Sequence, residues 1–150
     1  MCYARTEYGY LGAGLAIVGC SLGAAFGALR GGTIVSVVLS LPIAVYGLIV
    51  SVIIIGAIDS TGGYHEGMCP KVGYAYFSSG FAVGGAGLAG GLAIGMTGVL
   101  YADFVECATC ACCRSSPRYA VAIFACIAGN LIAFCGMIVA LIMSGARCYY

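Results

Sequence analysis

The stretch that decides the fold is residues 19–31, which read GCSLGAAFGALRG and place a glycine at every fourth position. A second stretch of the same kind, residues 84–95, reads GGAGLAGGLAIG. Because residues four apart share one face of an α-helix, each stretch predicts a helix with a bare backbone stripe. Such stripes let helices approach closely inside membranes. We expect this packing at Gly19, Gly23, Gly27, Gly84, Gly87, Gly91 and Gly95.

The chain around these stretches is too apolar for an ordinary soluble domain. Of its 150 residues, 63% are hydrophobic and 7% are charged, whereas soluble domains carry about 25% charged residues. The net charge is +1 without a basic run, which argues against nucleic acid as a partner. The composition therefore predicts a lipid bilayer as the environment, with lipid as a partner.

Four stretches contain no charged residue: Tyr8–Leu29, Gly31–Ile58, Val72–Ala102 and Tyr119–Ala146. A helix of the shortest stretch reaches about 33 Å, enough to cross a hydrocarbon core of about 30 Å. Inside lipid the backbone must satisfy its own hydrogen bonds, which helices do and isolated strands do not. The sequence therefore predicts an all-α membrane protein with four transmembrane helices. Lys and Arg divide equally between the two predicted faces, so charge alone does not orient the chain.

The four predicted helices form two copies of one helical hairpin. The glycines of the first stretch align with Gly87, Gly91 and Gly95, and YGLIVS at residues 46–51 aligns with CGMIVA at 135–140. The two alignments differ in offset, so the second hairpin has a longer connection than the first, which must turn tightly near Arg30. The predicted units are residues 8–58 for the first hairpin and residues 72–146 for the second.

Within each hairpin the first helix is rich in glycine and the second is bulky, over Ile34–Ile55 and Ile123–Met143. This difference suits an oligomeric ring of hairpins. The inner circle of a ring is shorter than its outer circle, so the inner helices must be slender and the outer helices can be bulky. The competing interpretation is small-residue packing inside a monomeric four-helix bundle. The residues alone leave both arrangements open.

Several motifs in combination resemble the proteolipid, or c-type, subunits of vacuolar-type proton-pumping ATPases. Residues 130–143, NLIAFCGMIVALIM, are similar to that family's last helix, which reads roughly E-x-x-x-x-Y-G-L-I-V-A-L-I. Residues 43–50, IAVYGLIV, look like the second helix, and residues 84–95 look like the third. SSPR at residues 115–118 resembles the Q-Q-P-R that begins the last helix. The resemblance extends over about residues 10–144.

The resemblance implies a ring of hairpins that turns in the membrane against a stationary subunit bearing a critical arginine. The other implied partners are further proteolipid ring subunits and the central stalk of the ATPase. Such a subunit is not an enzyme on its own, since other subunits hydrolyse ATP, and it contributes to proton transport without a cofactor. The implied location is the vacuole or another acidic endomembrane, as an integral multi-pass protein.

The chain departs from this family at the residue that carries the proton. The family's carboxylate lies five residues before the Tyr of Y-G-L-I-V, and that position is Asn130 in the last helix and Leu41 in the second. Asn can accept and donate hydrogen bonds but does not titrate near neutral pH. Rotation through lipid requires a group that can be neutralised, because a charge in lipid is costly. One interpretation is a non-protonatable structural copy in the ring, and another is a buried amide that bonds across helices.

The first hairpin also departs from the family in length. Between Arg30 and Tyr46 the family has about twice as many residues, so we expect helices 1 and 2 to be short on that side, or that end of the bundle to be distorted. Tyrosines near both termini fit an aromatic belt at the opposite membrane surface. These are Tyr3, Tyr8, Tyr10, Tyr149 and Tyr150.

Four of the 10 cysteines crowd the long predicted loop: Cys107, Cys110, Cys112 and Cys113. Cysteines beside a membrane span are candidates for acylation, because the acyl chain can enter the bilayer. Zinc binding and a disulfide are the alternatives, and the adjacency of Cys112 and Cys113 makes a tetrahedral zinc site awkward. We therefore predict free or acylated thiols and no metal site. A four-span scaffold protein with an acylated Cys-rich loop and no transport role is the alternative function.

Overall fold

The computed structural model describes residues 3–32, 34–60, 70–108 and 117–145. These residues form four long helices and no strand: α1 (Tyr3–Gly31), α2 (Ile34–Ser60), α3 (Pro70–Ala108) and α4 (Pro117–Ser144). Each helix contains a segment long and apolar enough to cross a membrane, namely Glu7–Gly31, Ile34–Ser60, Val72–Val99 and Ile123–Ser144. The predicted all-α fold with four membrane-spanning helices is confirmed. The two hairpin units over residues 8–58 and 72–146 stay a prediction.

The closest contact in the bundle joins α1 to α3 through facing glycines. A methyl group built on Gly19 would lie 2.7 Å from the Cα atom of Gly84, and one built on Gly27 would lie 3.2 Å from the carbonyl oxygen of Gly91. A methyl group on Gly23 would meet the backbone of Gly87. The two glycine stretches of the sequence therefore face each other within one chain. Gly95 contacts the ring of Phe26 at the end of this row.

The spatial register of α1 and α3 differs from the register of the sequence repeat. Gly19 aligns with Gly87 in the repeat but contacts Gly84 in the bundle. The shift of three residues is close to one helical turn. Whether the same glycines also pack between copies in a ring stays a prediction.

Helix α2 lies against α1 and carries most of the large buried side chains. A methyl group on Gly47 would lie 2.6 Å from the carbonyl oxygen of Ala16, so the α1 and α2 backbones are also close here. Ser40 is buried and donates a hydrogen bond to the carbonyl oxygen of Val37 in its own helix (2.9 Å). The fully buried isoleucines and valine of α2 fill the space beyond, at Ile43, Val50, Ile54 and Ile58.

Helix α4 is joined to α3 by hydroxyl groups as well as by glycines. The fully buried Ser79 hydroxyl donates a hydrogen bond to the carbonyl oxygen of Ala140 (2.8 Å). Thr97 Oγ1 lies 3.0 Å from the Cys126 sulfur, within hydrogen-bond distance. Such bonds between membrane helices contribute about 1 kcal/mol each. They fix the rotation of α4 about its axis, and this rotation positions Asn130.

The first hairpin ends well before the second on the side of the short connection. Helix α1 ends at Gly31 and α2 begins at Ile34, and Gly32 takes the positive φ of 58° that a glycine adopts readily. Gly98 of α3 packs against Gly31, yet α3 continues for ten more residues to Ala108, about 15 Å along its axis. On this side of the bundle, the connected ends of α1 and α2 therefore stop about 15 Å short of the end of α3.

Candidate ion-carrier position

Four helices meet in one layer next to Asn130. A methyl group on Gly129 of α4 would lie 3.0 Å from the carbonyl oxygen of Gly90 on α3. One on Gly27 of α1 would lie 3.2 Å from the carbonyl oxygen of Gly91 and 3.3 Å from Cβ of Ser40 on α2. We call Gly27, Ser40, Gly90, Gly91 and Gly129 the glycine layer. Asn130, which follows Gly129 directly, lies at the depth of this layer.

The side chain of Asn130 is partly buried, and its amide oxygen is shielded from solvent. Asn130 Oδ1 has no hydrogen-bond partner among the described residues. A buried acceptor without a donor costs about 1–3 kcal/mol. The interhelical amide bond that the sequence suggested is therefore not made by this oxygen within the described part of the chain.

A ring contact between α2 and α4 lies about one turn from Asn130. The rings of Tyr46 and Phe134 have centroids 5.8 Å apart and an interplanar angle of 61°, an edge-to-face arrangement. Phe134 follows Asn130 by four residues and so lies on the same side of α4. Asn130 thus lies near the seam between the two bulky helices of the chain.

The two positions equivalent to the family's carboxylate have different surroundings. Leu41 lies beside Ser40 of the glycine layer, but its side chain is 60% exposed. Its orientation is outward, whereas Asn130 is partly covered by the chain itself. The structure therefore places both residues at similar depth without bringing the Leu41 side chain into the interior beside Asn130.

No carboxylate replaces the missing acid in the interior of the described spans. Glu7 and Asp59 are exposed and lie at the ends of the first and second spans. The remaining described positions of the four spans hold neither Asp nor Glu. Asn130 is therefore a neutral residue at the depth of the glycine layer, in described spans whose interior holds no acid.

The cysteines of the described spans serve packing and hydrogen bonding. Cys20 is fully buried and donates a hydrogen bond from its thiol to the carbonyl oxygen of Val83 (3.3 Å). Cys126 is buried and Cys135 is exposed. The location of Cys20, Cys126 and Cys135 within charge-free stretches predicts small apolar packing residues. Cys20 and Cys126 are buried as predicted, whereas the exposed Cys135 is not packed inside the chain.

Of the four cysteines in the Cys-rich loop, one falls within the described residues. Cys107 falls in the last turn of α3, and Cys110, Cys112 and Cys113 lie outside the described residues. Acylation at these four cysteines therefore stays a prediction. Among the described residues, no group of three or more His, Cys, Asp or Glu side chains is placed to hold a metal ion.

Comparison with known proteins identifies what this four-helix arrangement is similar to. No protein-family model matches the chain. The V-type proton ATPase 16 kDa proteolipid subunit c of Nephrops norvegicus is 35% identical over 107 residues, which cover 61% of this chain and 65% of that protein. The match thus spans just under two thirds of the relative's length. The resemblance that the motifs indicated is confirmed, and the chain is a four-helix membrane protein similar to a proteolipid subunit of V-type proton ATPases.

Proposed function

We propose that the chain is a proteolipid ring subunit of the membrane sector of a vacuolar-type ATPase and occupies the ring as a non-protonatable copy. The similarity to a V-type proteolipid subunit supports the membership in this complex. The observation that carries the second part is Asn130, which stands at the carrier position in spans whose described interior has no carboxylate. The chain contributes to proton transport through the complex and hydrolyses no ATP itself.

Some glycines of α1 and α3 face no other part of the chain, and these support assembly with other ring subunits. Gly14 of α1 and Gly85 of α3 are exposed, and a methyl group on either would meet nothing within 4 Å in this chain. These two helices already pack against each other through their other glycines. A neighbouring hairpin could therefore approach α1 and α3 on their free sides as closely as they approach each other.

The proposed role follows from the chemistry of an amide. A carboxylate that passes from lipid to the stationary arginine must exchange its proton, because its charged form is costly in lipid. The Asn130 amide is neutral in both environments and can offer only hydrogen bonds. A copy with Asn130 therefore passes the stationary subunit without taking up or releasing a proton. Other proteolipid copies, each with a carboxylate, would carry the protons in a vacuolar or other acidic endomembrane.

Reaction with a hydrophobic carbodiimide tests the carrier position. Such a reagent modifies protonated carboxyl groups inside membranes. Peptide mass spectrometry of the wild-type chain should therefore find no modified residue within the four spans, at residues 8–29, 34–58, 72–99 and 123–144. Asn130→Glu should become modified at that position, and Asn130→Gln, which has the same length without an acid, should not. Modification of wild-type spans would contradict the assignment of Asn130.

Native mass spectrometry of the purified complex tests the ring. We expect many copies of the chain, alone or mixed with other proteolipid subunits, in one detergent-stable particle. Gly85→Leu places a large side chain on the free side of α3 and should disrupt this particle. Gly56→Leu should leave it intact, because Gly56 lies on α2, a bulky outer helix of the proposed ring, where the added side chain would meet lipid. A wild-type monomer or dimer would instead support the four-span scaffold with an acylated loop.

A further inference from the structure

The connection between α1 and α2 exposes apolar side chains. We call residues 29–32 together with Ile34 the turn tip. Leu29 and Ile34 are each 84% exposed, more than any other large hydrophobic residue described. Between them Arg30 is exposed, and its guanidinium carbon lies 5.9 Å from the centroid of the Phe26 ring. A single cation flanked by bare aliphatic side chains is a combination that suits the boundary between lipid headgroups and acyl chains.

The opposite end of the bundle fixes the depth at which the turn tip lies. The rings of Tyr8, Tyr74 and Phe77 cluster there, with Tyr8 5.6 Å from Tyr74 and 6.3 Å from Phe77 between centroids. Tyrosine rings favour the membrane interface. From Tyr10 to Arg30 the α1 axis rises by about 30 Å, which equals the thickness of a hydrocarbon core. When the tyrosines occupy one interface, Arg30 therefore occupies the other.

Lipid, rather than water, is the occupant that these observations favour. In water, the exposed side chains of Leu29 and Ile34 would lose the favourable free energy that comes from burying apolar surface. The Arg30 guanidinium is exposed, and a guanidinium group binds phosphate well. The ten residues of α3 beyond Gly98 extend past the turn tip, so the first hairpin ends before α3 does.

We infer that the turn tip does not emerge from the membrane but binds phospholipid at the interface. The lipid phosphate pairs with Arg30, and the upper parts of the acyl chains cover Leu29 and Ile34. The first hairpin would then end within one leaflet while α3 continues into the aqueous phase. This inference concerns a lipid contact of the single chain and does not depend on the proposed ring.

Tryptophan fluorescence can test the inference, because the chain contains no tryptophan. The full chain with Leu29→Trp or Ile34→Trp is placed in phosphatidylcholine vesicles whose acyl chains carry bromine near the headgroup or near the chain end. Iodide in the buffer reports exposure to water. Tyr10→Trp serves as the control at the opposite interface and Phe134→Trp as the control inside the span.

We expect Leu29→Trp and Ile34→Trp to lose as much emission to the shallow bromines as Tyr10→Trp, and more than Phe134→Trp, with little quenching by iodide. Strong iodide quenching would place the tip in water and overturn the inference. Protection from both quenchers would show that protein covers the tip and would overturn it equally. In the Ile34→Trp chain, Arg30→Gln should shift quenching toward the deep bromines, and an unchanged depth would refute the pairing of Arg30 with phosphate.

Discussion

Gly91→Ala is expected to separate α1 from α3 and to lower the stability of the bundle by about 1–3 kcal/mol, the usual cost of overpacking a close interface. The added methyl group would meet the backbone of Gly23. Backbone atoms cannot rotate out of the way as a side chain can, so the helices themselves must move apart. Because the facing glycines lie in one continuous row, such a shift weakens the neighbouring contacts as well.

Unfolding of the purified chain in detergent, followed by circular dichroism, measures this loss. The fully buried Cys20 thiol gives a second readout, because it lies between α1, α2 and α3 and should react with a thiol reagent once they separate. Gly56→Ala is the matched control, since a methyl group there meets nothing within 4 Å. It should be neutral or stabilise the helix by up to about 1 kcal/mol. Equal stability of the two variants would contradict the close α1–α3 contact.

Asn130→Glu is expected to convert a ring built only from this chain from one that moves no protons into one that does. The substitution places a titratable carboxyl at the depth of the glycine layer, where the wild-type amide can only form hydrogen bonds. In the proposed ring, a carboxyl would be neutral in lipid and ionised beside the stationary arginine, and this cycle is what proton transport requires. The expected change is therefore from no detectable uptake to clear uptake.

The measurement is ATP-driven acidification of vesicles that contain the assembled complex with this chain as its sole ring subunit. Asn130→Gln should remain inactive, because it lengthens the side chain as Glu does but adds no acid. Native mass spectrometry of the same preparations shows that each complex has assembled. Acidification by the wild-type ring would mean that another group carries the proton, and the proposed role of Asn130 would fail.

The membrane spans and the helix contacts could be predicted from different properties of the sequence. The four charge-free stretches predicted the four spans, because a hydrocarbon core tolerates few charges over its thickness. The four-residue spacing of Gly19, Gly23 and Gly27 predicted a close helix contact, because that spacing places them on one face. The sequence did not predict which glycine each of them contacts, because the contact of Gly19 with Gly84 depends on how two helices cross.

The surroundings of the carrier position were less predictable than its location. The motif around Tyr46 and Cys135 located Asn130 and Leu41 by counting residues. The orphaned oxygen of Asn130 and the outward orientation of Leu41 depend on the rotation of α4 and α2 about their axes. That rotation is set by distant contacts such as the bond from Ser79 to Ala140, which no local pattern reveals.

The glycine layer lies much nearer to the Arg30 end of α1 than to its tyrosine end. With the turn tip at the membrane interface, as inferred above, this asymmetry has an electrical consequence. Gly27 lies about 5 Å along α1 from Arg30 but about 25 Å from Tyr10. A cation that reaches this depth from the side of Arg30 crosses only a small part of the transmembrane voltage, while one arriving from the tyrosine side crosses most of it. At about 2 kcal/mol per 100 mV for a full crossing, a carboxylate restored at residue 130 would exchange protons almost independently of voltage on one side and steeply with voltage on the other.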